Sequence, residues 1–337
     1  MAGTPGEPGG PAGGDTARGA CVYAATSAIK AVPCRGRLES YGMTIDLPRQ
    51  ADDLLMVAVR EPTAGFTKTR LGAAIGMARA AALYRAFLAD LACRLTPSRT
   101  GDGDGRPYDL AWAYTPAGCA FAAVLAGLDP PAPEGPVRFV AQAGEGWGAR
   151  QANLLRWGHD AGYARTVLVA SDSPHLPRGT VLAAHAALRE HDIALGRVLD
   201  GGYYLIGVRG DQDVLTGVPM STADAADAVC ARARALGLRV AEMPTLFDVD
   251  EAADLDHLRA ALAPDGAPAP ATWRALAALG LCGGSVEQPG GTEPGDTTPF
   301  ETAPGAIVAA TPPMADALAV TPAHAARPLG PTGERSG

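Results

Sequence analysis

Short apolar runs alternate along the chain with longer stretches of helical periodicity. Apolar runs predict strands over 54–59, 110–114, 137–141, 166–170, 192–199, 203–208 and 239–246. Helical patterns lie between or after them, over 72–92, 149–162, 177–191, 222–237 and 251–262. Strands that alternate with helices in this way are typical of βαβ units. The pattern therefore predicts an α/β fold, a three-layer α/β/α sandwich with a mostly parallel central sheet.

Glycine and proline are concentrated near the two ends of the chain. The 42 Gly and 29 Pro make up about a fifth of the 337 residues, and the excess lies outside the strand-bearing middle. Such segments bury too little apolar surface to offset the cost of ordering them. We therefore predict one domain over 51–262, a disordered N-terminus over 1–20 and a mostly disordered tail over 263–337 with one short helix. The segment 21–50 is an extension that the pattern leaves unassigned.

Charge and cysteine content narrow the class of protein. The net charge of −8 disfavours a nucleic-acid partner, which would require a basic face. No apolar run approaches the ~18 residues of a membrane span, and the N-terminus lacks the pattern of a signal peptide. The six cysteines form no CxxC pair. We expect a cytoplasmic protein without a membrane or nucleic-acid partner.

The loop after the first strand predicts a phosphate-binding site. Gly65 allows a tight turn, and Lys68 and Arg70 bring two cations next to the start of a helix. Of the 28 cationic residues, only Lys30 and Lys68 are lysines, which makes Lys68 notable in a chain that otherwise uses arginine. The alternative is a surface loop with ordinary charges.

Acidic residues follow two of the later strands. Asp172 is the second residue after the strand 166–170, and Asp248 and Asp250 follow the strand 239–246. A divalent cation such as Mg²⁺ or Mn²⁺ takes one or two carboxylates together with phosphate oxygens and water. Asp172 and Asp250 are therefore the predicted metal ligands. The alternative for each is a turn or a helix cap.

A fourth polar cluster, Asp200-Gly201-Gly202, stands between two extended runs. The two glycines permit close approach of a ligand to the backbone, and we predict that they contact the nucleotide or its acceptor. An ordinary turn is the alternative. Asp200 and Asp248 are the candidate catalytic residues, either of which could act as a general base.

These clusters occur in the order of a known family. The segments are Gly65–Leu71 (GFTKTRL), Ser171–Leu176 (SDSPHL), Asp200–Gly207 (DGGYYLIG) and Asp248–Leu255 (DVDEAADL). The chain thereby resembles the bacterial family called domain of unknown function 2064, of the GT-A glycosyltransferase superfamily, over about residues 53–259. One departure is Trp147, which stands where that family usually has an aspartate.

The resemblance implies a nucleotide-diphospho-sugar transferase (GT-A) fold and a metal-dependent transferase that uses an activated nucleotide. The leading interpretation is a glycosyltransferase that moves a sugar from a nucleotide sugar to a small-molecule acceptor. One alternative is a nucleotidyltransferase that couples an NTP to a phosphorylated small molecule and releases pyrophosphate. A second alternative is a non-catalytic nucleotide-binding protein.

Overall fold

The first strand shows how the sequence builds a sheet that is covered on both faces. A computed structural model describes residues 47–97, 106–220 and 222–282. In β1 (Asp53–Arg60), the residues 54–59 are all at most 6% exposed. Alternate side chains of a strand point to opposite faces. Accordingly, Leu55, Val57 and Val59 belong to one apolar core, and Leu54, Met56 and Ala58 belong to another.

Six strands follow β1: β2 (Asp109–Thr115), β3 (Val137–Ala141), β4 (Arg165–Ala170), β5 (Ile193–Val198), β6 (Tyr203–Arg209) and β7 (Val240–Leu246). The helices are α1 (Thr69–Ile75), α2 (Met77–Leu95), α3 (Phe121–Ala126), α4 (Gly146–Asp160), α5 (Arg178–Ala187), α6 (Ala225–Ala235), α7 (Asp254–Leu262) and α8 (Pro270–Ala278). The described strands form one sheet in the order β3-β2-β1-β4-β6-β5-β7.

Strand direction determines where a ligand can bind. The pairs β1–β2, β1–β4, β2–β3 and β5–β7 are parallel, and β6 runs antiparallel to both of its neighbours. All other described strands thus end at one edge of the sheet. After β1 the chain adds β2 and β3 on one side of β1, and it then crosses back to place β4 on the other side. Such a switch point opens a crevice at the carboxyl ends of the strands.

Helices cover both faces of the sheet. Side chains of α2, α5, α7 and α8 pack in the core that contains Val57, while α4 and α6 pack in the core that contains Met56. The three-layer α/β/α sandwich with a mostly parallel sheet is therefore confirmed.

Three details differ from the predicted pattern. The helix predicted over 72–92 is two helices, because Gly76 adopts φ 95° and interrupts the backbone hydrogen bonding between α1 and α2. The short helix α3 lacked a clear periodic signal and was not predicted. Helix α8 is the short helix predicted within 263–337, but it places Leu276 in the core, so packed structure continues beyond the predicted domain limit at 262.

The predicted disorder of 1–20 and most of the predicted extension and tail lie outside the described residues. None of the described helices is long and apolar enough to cross a membrane.

Candidate active site

A polar cleft of about 400 Å³ opens at the carboxyl ends of β1 to β4. Its position is the crevice that the switch between β1 and β4 creates. Four cationic side chains line it together with two carboxylates: Arg60, Lys68, Arg70 and Arg150 with Asp172 and Asp250. Hydroxyl groups of Thr67, Thr69, Tyr84, Thr115 and Ser171 add hydrogen-bonding capacity, and Gln142 and Trp147 complete the polar wall. The excess of positive charge favours an anionic ligand.

Lys68 lies between the two predicted metal ligands. Its Nζ donates to Oδ1 of Asp250 at 2.7 Å and forms an ion pair with Oδ1 of Asp172. The Lys68 side chain is only 5% exposed, whereas those of Asp172 and Asp250 are 35% and 34% exposed. The structure thus brings together residues that lie 182 positions apart in the sequence.

Charge and burial act in opposite directions on this trio. Burial would lower the pKa of Lys68, but the charges of Asp172 and Asp250 outweigh it, so the pKa of Lys68 rises above its usual value. Burial would raise the pKa of Asp250, and the neighbouring ammonium of Lys68 lowers it below its usual value instead. The cleft therefore holds a charged ammonium and an ionised Asp250 at neutral pH.

Backbone contacts hold the two acidic segments together. The amide of Val249 donates to the carbonyl of Asp172 at 3.0 Å, and Ser173 Oγ donates to the carbonyl of Phe247 at 2.7 Å. The Oδ2 atom of Asp254 accepts from the amide of Asp250 at 2.8 Å, which fixes the turn before α7. The loop after β7 is therefore held against the end of β4, although these strands are not neighbours in the sheet.

Arg70 lies at the solvent side of the cleft. Its guanidinium donates to Glu251 Oε1 at 3.0 Å and approaches Asp250 Oδ2 at 3.6 Å, and its side chain is 69% exposed. Lys68 and Arg70, which the sequence pairs as one cationic loop, thus have different environments. Lys68 is a buried counter-charge, and Arg70 is a solvated one.

The two candidate catalytic aspartates lie beside the cleft rather than among its lining residues. Burial and the charges of Asp250, Asp200 and Asp172 together raise the pKa of Asp248 to about 7. Asp200 is exposed, and its Oδ1 accepts from the amide of Gly202 at 2.9 Å. Of the two candidates, Asp248 is therefore the carboxyl group whose surroundings raise its pKa.

Tyr84 is a lining residue that the sequence did not indicate, since a tyrosine in an Ala/Leu-rich helix resembles an ordinary core residue. It is 2% exposed, and its hydroxyl lies 2.7 Å from Ser171 Oγ and accepts from the amide of Arg60 at 3.1 Å. The Lys68 Nζ lies 5.9 Å from the centre of the Tyr84 ring. Burial, followed by the charge of Asp172, raises the pKa of Tyr84 to about 12. Tyr84 is thus a neutral link between the ends of β1 and β4.

Arg60, Thr115 and Gln142 end or follow β1, β2 and β3, and that position could have indicated them from the sequence. Arg150, on α4, could not be placed from the pattern. Its guanidinium lies 5.9 Å from the Trp147 ring, and its buried Nε has no hydrogen-bond partner among the described residues. The residue that departs from the expected family pattern therefore contacts a cation of the cleft.

The predicted glycines do not line the cleft. Gly65 has φ 81° in an exposed turn with open space around the position of a Cβ. Gly201 has φ 88°, and a Cβ there would lie 1.7 Å from the carbonyl oxygen of Ala223. Gly202 has ordinary φ, and a Cβ there would lie 3.2 Å from Asp200 Oδ1. Close packing against the segment before α6 thus accounts for Gly201 without a ligand.

A second cavity of about 490 Å³ adjoins the cleft and shares Arg60, Thr115 and Arg150 with it. Its remaining lining residues are Glu61, Thr63, Phe66 and Pro116, and the Phe66 side chain is exposed. Phe66 and Pro116 give this cavity apolar surface beside the cationic cleft, which suits a ligand that has an anionic and a planar part.

The cleft offers two carboxylates to a divalent cation. Asp172 and Asp250 each direct a carboxylate oxygen into the cleft, where they share Lys68. Within the described residues, no group of three or more His, Cys, Asp or Glu side chains is arranged to hold a metal ion. Two carboxylates do suit a Mg²⁺ ion whose remaining ligands are phosphate oxygens and water. The residues therefore fit a cation that binds together with a phosphorylated ligand.

A family model and one solved structure show which family the chain belongs to. A family model, described as an uncharacterized protein conserved in bacteria (DUF2064), matches residues 109–222. The crystal structure of a candidate nucleotide-diphospho-sugar transferase from Desulfovibrio desulfuricans G20 is 32% identical, with a TM-score of 0.58, and the match covers 68% of this chain and 96% of that chain. The chain belongs to the DUF2064 family. The predicted resemblance is thereby confirmed, although the first and fourth motifs lie outside the residues that the family model matches.

More distant solved structures also align with the chain. Rv0371c from Mycobacterium tuberculosis H37Rv is 18% identical, with a TM-score of 0.35, over 63% of this chain and 98% of that chain. CMP:2-keto-3-deoxy-manno-octonic acid synthetase, solved with CTP, is 13% identical, with a TM-score of 0.37, over 63% and 99%. These likenesses are too distant to bear on the chemistry of the DUF2064 protein. No curated protein matches the chain.

Proposed function

We propose that this DUF2064 protein is a metal-dependent glycosyltransferase that moves a sugar from a nucleotide sugar to a small-molecule acceptor. The observation that carries the proposal is the placement of Lys68, Asp172 and Asp250 in one cationic cleft at the switch point of the sheet. The description of the Desulfovibrio desulfuricans relative as a candidate nucleotide-diphospho-sugar transferase supports it.

Each part of the site has a role in this proposal. Arg60, Arg70 and Arg150 attract and orient the diphosphate, and the adjoining cavity receives the nucleoside. Asp172 and Asp250 hold Mg²⁺ or Mn²⁺, which when bound neutralises charge on the leaving diphosphate. Cationic groups fixed where negative charge develops lower the barrier to departure of the diphosphate.

Asp248 is the proposed proton acceptor for the hydroxyl group of the acceptor. Burial, followed by the charges of neighbouring carboxylates, raises its pKa to about 7, and a more basic carboxylate is a better proton acceptor. Asp200 is less suited because it is exposed and its carboxylate already accepts a hydrogen bond from its own turn. Sugar transfer would leave a nucleoside diphosphate and the glycosylated acceptor as products.

Product analysis tests the proposal. The full chain is incubated with Mn²⁺ and a panel of nucleotide sugars and NTPs, with candidate acceptors, and both nucleoside diphosphate and pyrophosphate are measured. We expect nucleoside diphosphate from one nucleotide sugar. Release of pyrophosphate from an NTP in an acceptor-dependent manner would instead indicate nucleotidyl transfer, and binding without turnover of any donor would indicate a non-catalytic nucleotide-binding protein.

A matched pair of variants tests the metal assignment. Asp172→Asn removes a proposed ligand, and Asp52→Asn changes a carboxylate that is 73% exposed and precedes β1 at the opposite edge of the sheet. We expect Asp172→Asn to abolish Mn²⁺-dependent turnover and Asp52→Asn to retain it. Equal activity of Asp172→Asn and the parent would show that Asp172 does not hold the metal.

A further inference from the structure

We propose that Lys68 is an internal counter-cation of the Asp172–Asp250 pair. When a divalent cation and a diphosphate bind together, Lys68 exchanges its carboxylate partners for phosphate oxygens. This inference depends on the proposed function, because it assumes that the pair binds a metal. It assigns to one side chain two successive partners, and it predicts that metal and diphosphate bind cooperatively.

The contacts of Lys68 show why the binding of a metal ion alone is opposed. One ammonium pairs with Oδ1 of both carboxylates, and these are oxygens that a divalent cation would use. Two anions and one ammonium leave the trio with one net negative charge. A divalent cation added to the intact trio would compete with a cation that is already in place, so metal binding alone is opposed.

The burial and backbone conformation of Lys68 show that the loop holds its side chain inward. The Lys68 side chain is 5% exposed, so the ammonium has given up most of its contact with water for these two partners. Lys68 is also the only residue other than glycine with positive φ in the described ranges, at φ 51° and ψ 47°. A lysine gains nothing intrinsic from this left-handed conformation, which is disfavoured for a residue that has a Cβ. The loop thus holds the side chain inward against a local preference.

A diphosphate in the cleft gives Lys68 new partners when a metal ion takes its carboxylates. If a divalent cation takes the carboxylate oxygens, the ammonium becomes a buried charge without a partner, which is strongly unfavourable. A diphosphate in the same cleft offers it new anionic oxygens. Metal and diphosphate therefore favour each other through Lys68, and by linkage each raises the affinity of the other by the same factor.

The inference is tested by measuring Mn²⁺ binding with and without inorganic pyrophosphate. Electron paramagnetic resonance or calorimetry detects the binding. Pyrophosphate is used because it represents the diphosphate without a choice of base. We expect Lys68→Met to bind Mn²⁺ alone more tightly than the parent by roughly tenfold or more, the range of ordinary coupling. Pyrophosphate should strengthen Mn²⁺ binding strongly in the parent and much less in Lys68→Met.

Arg70→Met is the matched control, since it removes an exposed positive charge that lies 3.6 Å from Asp250 Oδ2. An equal gain in Mn²⁺ affinity in both variants would show that the buried position of Lys68 between the two carboxylates has no special effect, and that result would overturn the inference. Unchanged or weaker Mn²⁺ binding by Lys68→Met would overturn it as well. Failure of the parent to bind Mn²⁺ even with pyrophosphate would refute the proposed metal dependence and this inference together.

A second measurement needs no variant at Lys68. The chain has only two lysines, Lys30 and Lys68, so ¹⁵Nζ-lysine labelling gives two ammonium signals, which Lys30→Arg distinguishes. We expect the Lys68 signal to shift when Mg²⁺ and pyrophosphate are added together, and to shift little with either alone. A Lys68 signal that is unchanged when both ligands are bound would overturn the inference.

Discussion

Asp90 is predicted to hold α8, the last helix among the described residues, on the domain. Its side chain, on α2, is 4% exposed, and it accepts from the amide of Ala271 at 2.9 Å and from the amide and hydroxyl of Thr272 at 2.7 Å each. The amides belong to the first turn of α8, whose own preceding residue, Ala269, provides no side-chain cap. A carboxylate of one helix thus caps another.

The cost of losing this cap follows from the contacts. A hydrogen bond to a charged group contributes about 1.5–3 kcal/mol, and loss of a helix cap costs about 0.5–2 kcal/mol. The three bonds share one carboxylate, so they do not add fully, and we expect Asp90→Ala to lower the free energy of unfolding by about 3 kcal/mol. For a domain of this size, that corresponds to a fall in Tm of about 6–12 °C. Asp90→Asn should have an intermediate effect, because one acceptor oxygen remains.

Urea unfolding, monitored by circular dichroism, measures this change. Asp52→Ala serves as the control, since its side chain is 73% exposed. If Asp90→Ala differed from Asp52→Ala by less than about 0.5 kcal/mol, the cap would be an incidental contact and the reasoning would fail.

Three further predictions concern the site and the core. Tyr84→Phe removes two hydrogen bonds of the buried hydroxyl and should cost about 1–3 kcal/mol of stability by urea unfolding, while retaining the fold by circular dichroism. Gly201→Ala should greatly reduce the yield of folded protein, because its Cβ would overlap the Ala223 carbonyl, whereas Gly65→Ala should cost only about 1 kcal/mol; equal effects would contradict the packing explanation. Burial, followed by a nearby arginine, lowers the pKa of His185 to about 3, below its usual 6.5, so the unfolded chain takes up a proton first and stability falls as the pH drops below 6.5. In His185→Phe this fall should be smaller, as urea unfolding at pH 7 and pH 5 would show.

Much of the fold was readable from the sequence because it depends on local pattern. The buried strand β4 appears as a continuous apolar run, and every predicted strand is present within a few residues of its expected bounds. The order of strands and helices then placed the loops that carry Lys68 and Asp172 at one edge of the sheet. The resemblance of the motifs also led to the correct family.

The helix boundaries were less accessible to local pattern. The break between α1 and α2 depends on one backbone angle at Gly76, and the periodicity of apolar residues continues across it. Helix α8 lies in a stretch rich in alanine and proline, and its position depends on Asp90, which is 181 residues away from Ala271. Composition alone could not reveal a partner so distant in the chain.

The sequence by itself determined the strand pattern, the polar clusters at the strand ends and the family. Only the tertiary structure decided what these clusters do to one another. It placed Lys68 between Asp172 and Asp250, where the sequence indicated a separate phosphate ligand and two metal ligands. It also brought Tyr84 and Arg150 to the same cleft from two helices. The physical reason is that charge pairing and burial depend on distances in space, which the spacing of residues along a chain does not contain.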